Sequence, residues 1–137
     1  MPIVQGQTSS FKVELPQGIH DLLTDVIKIA LYTAFADINQ TTTAYTAAGE
    51  VSGAGYTPGG AALAGAAVTL SGTTACITFD NVSWPGSGFT ARAALIYNAS
   101  KANRSIAVLD FGSDKTSANF TITFPVSTAT TAVLRIV

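Results

Sequence analysis

Charge is scarce in this chain, at 11% of 137 residues against about 25% in ordinary soluble domains. Between Glu50 and Arg92 the only ionised side chain is Asp80. Sheet edges of free monomers usually carry charges that block pairing with other chains, so a stretch this neutral points to a surface that meets protein partners. The basic residues stand singly, with no cluster to neutralise phosphates, which argues against nucleic acid as a ligand.

Cysteine occurs once, at Cys76, which excludes an intrachain disulfide. With the single histidine, His20, it falls short of the three or four protein ligands of a zinc site. A Cys-His nucleophile would need both within reach of each other and a third orienting group. Cys76 instead lies in Ala75-Cys76-Ile77-Thr78-Phe79, where a free cysteine usually serves as a small buried hydrophobe. Long apolar runs are also missing. The longest, Ala61 to Leu70, is made largely of Ala and Gly and is far shorter than the ~20 residues that span a bilayer, so no membrane partner is expected. Met1 to Gln7 has neither a positive nor an apolar signal region, and the expectation is a soluble protein made in the cytoplasm.

What the chain does have is a succession of short strand signals. Phe11-Lys12-Val13-Glu14-Leu15 alternates apolar and charged residues before Pro16, which predicts a strand. A short helical turn is expected near residues 18–25. The spacing of Ile19, Leu22, Leu23, Val26, Ile27, Ala30 and Leu31 also fits a helix over residues 18–31, but the β-branched and aromatic run Val26 to Tyr32 favours a strand. From Asp37 to Gly60 the abundance of Thr, Ala and Gly predicts a long loop, pinned by Tyr45 and Tyr56. Further strands are expected over Ala62 to Leu70, Thr74 to Phe79, Phe89 to Asn98, Ser105 to Phe111, Phe120 to Phe124 and Thr131 to Val137. Turn chemistry separates them at Ser71-Gly72, Trp84 to Gly88, Asn98 to Asn103, Gly112-Ser113-Asp114 and Pro125 to Thr128. About eight strands without helical crossovers predict an all-β fold, an antiparallel β-sandwich or jelly roll. Residues 11–137 form that single domain, and residues 1–10 an extended N-terminal arm.

Several local patterns resemble chemical sites without completing them. Asp110-Phe111-Gly112 copies a kinase metal-binding tripeptide, but the glycine-rich loop, strand lysine and catalytic loop are missing. Asp110 is better read as capping backbone amides in a turn, and with Asp114 it falls short of the 6–8 oxygens of calcium. Gly53 to Gly60 lacks the Gly-Lys-Ser/Thr ending of a phosphate loop. Trp84 beside Pro85 could stack on a sugar, as in a carbohydrate-binding module, though a tryptophan in a turn is more often a core lid or contact anchor. No catalytic residue, metal or cofactor is expected.

Five strings taken together resemble a known family. They are Asp25-Val26-Ile27-Lys28-Ile29-Ala30-Leu31-Tyr32; Thr42-Thr43-Ala44-Tyr45 with Gly49-Glu50-Val51-Ser52-Gly53-Ala54-Gly55-Tyr56-Thr57; Thr90-Ala91-Arg92-Ala93-Ala94-Leu95-Ile96-Tyr97-Asn98; Ala107-Val108-Leu109-Asp110-Phe111-Gly112-Ser113-Asp114-Lys115; and Phe120-Thr121-Ile122-Thr123-Phe124-Pro125. From about His20 onward the chain resembles small virion structural proteins of tailed bacteriophages with jelly-roll-like folds, some of which sit on the capsid exterior as cement or decoration subunits. The resemblance implies a homo-oligomer bound to the major capsid protein and other virion proteins, or alternatively a tail, baseplate or fibre adaptor, and it implies no cofactor. Residues expected at partner contacts are Ile3 and Val4 on the arm, and the aromatic Phe35, Tyr45, Tyr56 and Trp84.

Overall fold

The structure, a computed structural model, describes residues 3–125 and 133–136. Among these the chain is β-rich and antiparallel, with strands β1 (Gly6–Gln7), β2 (Ile27–Tyr32), β3 (Ala61–Ala62), β4 (Ala67–Ser71), β5 (Thr74–Thr78), β6 (Val82–Pro85), β7 (Thr90–Asn98), β8 (Arg104–Thr116), β9 (Asn119–Ile122) and β10 (Leu134–Ile136), and one helix, α1 (Ser9–Glu14). Five strands form a central sheet in the order β1-β8-β7-β2-β3; β10-β5-β4 and β6-β9 form two smaller sheets.

The middle strands of the central sheet, β2 and β7, are buried on both faces, which is why they read as nearly unbroken apolar runs rather than alternating ones. Ile27, Ile29 and Leu31 of β2 and Ala94 and Ile96 of β7 point into the main core, where the small sheets contribute Ile77, Trp84, Phe120, Ile122 and Leu134. The intervening Ala30, Tyr32, Ala93, Leu95 and Tyr97 point to the opposite face, against Ile38, Tyr45 and Ile3. A one-residue slip in β2 would exchange these two sets, so register and core composition specify each other.

Several expectations are corrected. Residues 11–15 are not a strand: Ser9–Glu14 is helical, with the Thr8 hydroxyl accepting from Phe11 N. In a strand, Phe11, Val13 and Leu15 would share one face. In the helix Phe11 and Leu15, four apart, turn inward while Val13 is 61% exposed. The helical turn expected over 18–25 lies at its C-terminal end, where Asp25 N donates to Asp21 O at 2.8 Å. The alternative long helix does not form, because β2 begins at Ile27.

The expected strand Ala62 to Leu70 is two strands. Ala61–Ala62 pairs with β2, and Gly65, at φ +67, turns the chain toward the β5 sheet. Gly112 to Asp114 is not a turn between strands, since β8 runs through it. Ala91 pairs with Lys115 and Ala93 with Asp110, so the turn residues form a bulge opposite Arg92. Trp84 and Pro85 end strand β6 rather than opening a turn.

Residues 3–10 also depart from the extended arm. Val4 N donates to Ile38 O, Gly6 and Gln7 pair with β8, and Thr8 is fully buried. Residues 1 and 2, most of the expected turn after Pro125, and residues 131, 132 and 137 of the expected last strand lie outside the described residues.

Candidate partner-contact surface

The four tyrosines of the chain converge on the loop between residues 45 and 60. Tyr45 and Tyr56 donate to the two oxygens of Glu50, at 2.6 and 2.5 Å, and Gly59 N donates to the same carboxylate at 2.8 Å. Tyr32 donates to Thr46 O and Tyr97 to Gly59 O, while the rings of Tyr45 and Tyr97 stack 5.0 Å apart. Burial, and then the Glu50 carboxylate beside it, pushes the Tyr45 phenol up to about 12; burial raises Tyr56, Tyr32 and Tyr97 as well. The single charge in this part of the loop is thereby committed to internal bonds.

Held in this way, the loop joins others at the end of the central sheet where β2 stops and β7 starts. Thr33 N and its hydroxyl both donate to Gly49 O, at 2.8 and 3.0 Å. Gly49 is in the left-handed region, and a Cβ there would stand 2.7 Å from Ala36 Cα, so no other residue allows this approach. Gly55 is likewise left-handed, and its Cβ would lie 2.9 Å from Gly86 O. Gly88 N donates to Ala54 O, Ser87 N to Ala118 O and the Ser87 hydroxyl to Ser117 O. Residues 33–36, 47–49, 51–55, 86–88 and 117–118 lie at this end of the sheet and are uncharged, while the exposed charges Asp37, two residues past Phe35, and Lys115, paired with Ala91, border them. Phe35 stands at this end with 95% of its surface exposed. A lone aromatic so completely in water gains roughly 1.5–3 kcal/mol when a partner covers it.

The opposite end of the sheet is charged and internally paired. Asn98 Nδ2 donates to His20 Nδ1, which leaves the His20 Nε2 hydrogen to bond Glu14 at 2.8 Å. Arg104 donates to the other Glu14 oxygen, and Asp25 accepts from both Asn98 and Lys101. Burial alone would raise the Glu14 carboxyl, but the bonds from His20 and Arg104 outweigh it and hold it low. In the same way burial opposes, but the bonds from Asn98, Asp21 N and Lys101 bring Asp25 down to about 2. This network ties α1 and the turn at 21–25 to the 98–104 loop.

The expected contact residues separate into two groups. Phe35 is on the surface, Val4 is exposed, and Ile3 and Tyr45 are partly buried against the second face of the sheet. Tyr56 and Trp84 are taken up by this chain's own core. Trp84 is 5% exposed and packs with Tyr56 and Phe120, so it presents no stacking face to a sugar. Cys76 is fully buried on β5, and His20 is part of the charged network, so the two are not brought together as a pair. Asp110 accepts from Gly112 N, the amide-capping contact expected of it, though within a bulge of β8 rather than in a turn, and it also pairs with Arg92. Among the described residues no three His, Cys, Asp or Glu side chains gather as metal ligands, and no helix is long and apolar enough to cross a membrane. No protein-family model, curated protein or solved structure matches the chain.

Sequence reading missed Glu50 as the organiser of this surface. The available signal was an isolated carboxylate between two tyrosines in an otherwise neutral loop, where a charge without a solvating role needs internal donors.

Proposed function

We propose that this chain is a structural protein of a bacteriophage virion, a cement or decoration subunit that binds the major capsid protein on the capsid exterior and stabilises the shell. The reading starts from the sequence resemblance to jelly-roll-like virion proteins, and the fold it is set beside is β-rich and antiparallel. The observation that carries the reading is Phe35, 95% exposed among loops that hold few charges. Covering such a face strips water from few ions, and Phe35 supplies an apolar anchor.

The energetic logic is linkage. A subunit that binds only the assembled shell stabilises that state by mass action, and the gain recurs at every copy on the particle. Catalysis plays no part in this role. The test is to mix purified chain with capsids, sediment them and count bound copies. A shell protein binds in numbers that scale with the capsid surface. Binding in small multiples would assign the chain to the tail or baseplate instead, and absence of binding to capsids and tails alike would defeat the virion reading.

A further inference from the structure

Strand β4 is an edge strand, hydrogen-bonded to β5 on one side only. Ser71 and Thr74 flank a two-residue turn with Gly72 at φ +60, so they form a hydrogen-bonded pair, as do Thr69 with Cys76 and Ala67 with Thr78. Val68 and Leu70 occupy the alternate positions, and their N–H and C=O groups point away from β5. Among the described residues these groups have no hydrogen-bond partner. Ala67-Val68-Thr69-Leu70-Ser71 carries no charge, proline or bulge, the devices that usually protect an edge. Its side chains are exposed as well: Val68 by 48% and Leu70 by 74%. Both lie on the same face of the sheet as Ile77. Val68 borders a groove of about 460 Å³ whose other walls include Leu22, Leu23, Ala75, Ile77 and Ile136.

We infer that β4 is the pairing edge of a symmetric homodimer, in which β4 of a second copy adds antiparallel across a twofold axis at Thr69. Only this register uses every free group: Val68 pairs with Leu70 of the other copy and Leu70 with its Val68, giving four backbone hydrogen bonds. The strand is neutral along its whole length, so self-pairing brings no like charges together. On the core-side face, Val68 of each copy meets Leu70 of the other, extending the apolar wall of the groove. The β10-β5-β4 sheets of the two copies become one continuous six-stranded sheet. This interface stands apart from the capsid reading, since it uses neither Phe35 nor the loops around it.

The test is the solution mass of the purified chain by light scattering, together with one crosslink. The expected mass is twice 14.0 kDa. Leu70→Lys places two charges in the new apolar contact and weakens dimerisation on the order of tenfold or more. Its exposure makes the folded monomer indifferent to the change, which circular dichroism verifies. For the crosslink, Thr69→Cys is made in a Cys76→Ala background, because Cys76 is Thr69's own cross-strand neighbour. Thr69 faces itself across the axis, so this variant oxidises to a disulfide-linked dimer. Val68→Cys in the same background, offset from the axis, does not. A monomeric chain, a dimer that survives Leu70→Lys, or crosslinking at 68 in place of 69 would each overturn the proposal.

Discussion

Tyr56 and Glu50 join the interior of the protein to its proposed contact surface through one hydrogen bond. The Tyr56 phenol accepts from Leu31 N on β2 and donates to the Glu50 carboxylate, so a core strand and a surface loop share one oxygen. The loop is long and has little regular structure, yet its position is fixed at Glu50 by two phenols and one backbone amide.

Replacing Glu50 with Gln keeps the shape but adds an amide where three donors converge. One donor is left unsatisfied, and the cost is about 1–3 kcal/mol. Urea unfolding measures it. Tyr45→Phe, which removes one donor from a half-buried site, costs less than Tyr56→Phe, which breaks two bonds.

Alkaline pH attacks the same cluster. The folded phenols titrate above the ordinary value of 10.0, Tyr45 at about 12, because burial and the Glu50 charge disfavour phenolate. A group raised in the folded state gives stability that is complete below its unfolded value and is lost as pH rises through the folded one. Melting temperature therefore holds to about pH 10 and falls between pH 10 and 12, with tyrosinate absorbance appearing as the protein unfolds.

Acid attacks the opposite end. Asp25 and Glu14 are both held below their ordinary 3.8 and 4.5, Asp25 at about 2. Depressed carboxyls give stability that is complete above the unfolded values and is lost as pH falls toward the folded ones. Thermal melts lose stability from about pH 4.5 down to pH 2, and Asp25→Asn, though less stable at pH 7, loses less of its stability over that window.

Thr8→Ala removes a helix cap and a fully buried hydroxyl that bonds Ser105, and costs about 1–2 kcal/mol by denaturant unfolding. Deleting residues 1–10 removes β1 and the first residues of α1 together, and lowers the melting temperature by more than the point substitution does.

Much of the β architecture was legible in the sequence because burial leaves a plain mark on composition. The apolar runs at Ile27–Tyr32 and Thr90–Asn98 read as strands, and the Thr, Ala and Gly between Asp37 and Gly60 read as loop. Residues 11–15 were misread because an apolar residue at every second position over five residues also places two of them four apart, and only the cap at Thr8 decides between strand and helix. Gly112 was misread because the same local chemistry serves a turn and a bulge; which one forms depends on whether β7 continues alongside. At the proposed site, Phe35 and the neutrality of the loops after Glu50 were visible in the sequence. The burial of Tyr56 and Trp84 was not, since an aromatic beside glycine or proline has the same local sequence on a surface or under one.

The most direct measurement is electron cryomicroscopy of capsids saturated with the chain, paired with the occupancy of Phe35→Ser. The account predicts density over subunit joints across the whole shell, with the Phe35 end facing the capsid protein, and sharply reduced occupancy for Phe35→Ser at unchanged melting temperature. Density confined to the tail or portal vertex, or full occupancy by Phe35→Ser, would contradict it.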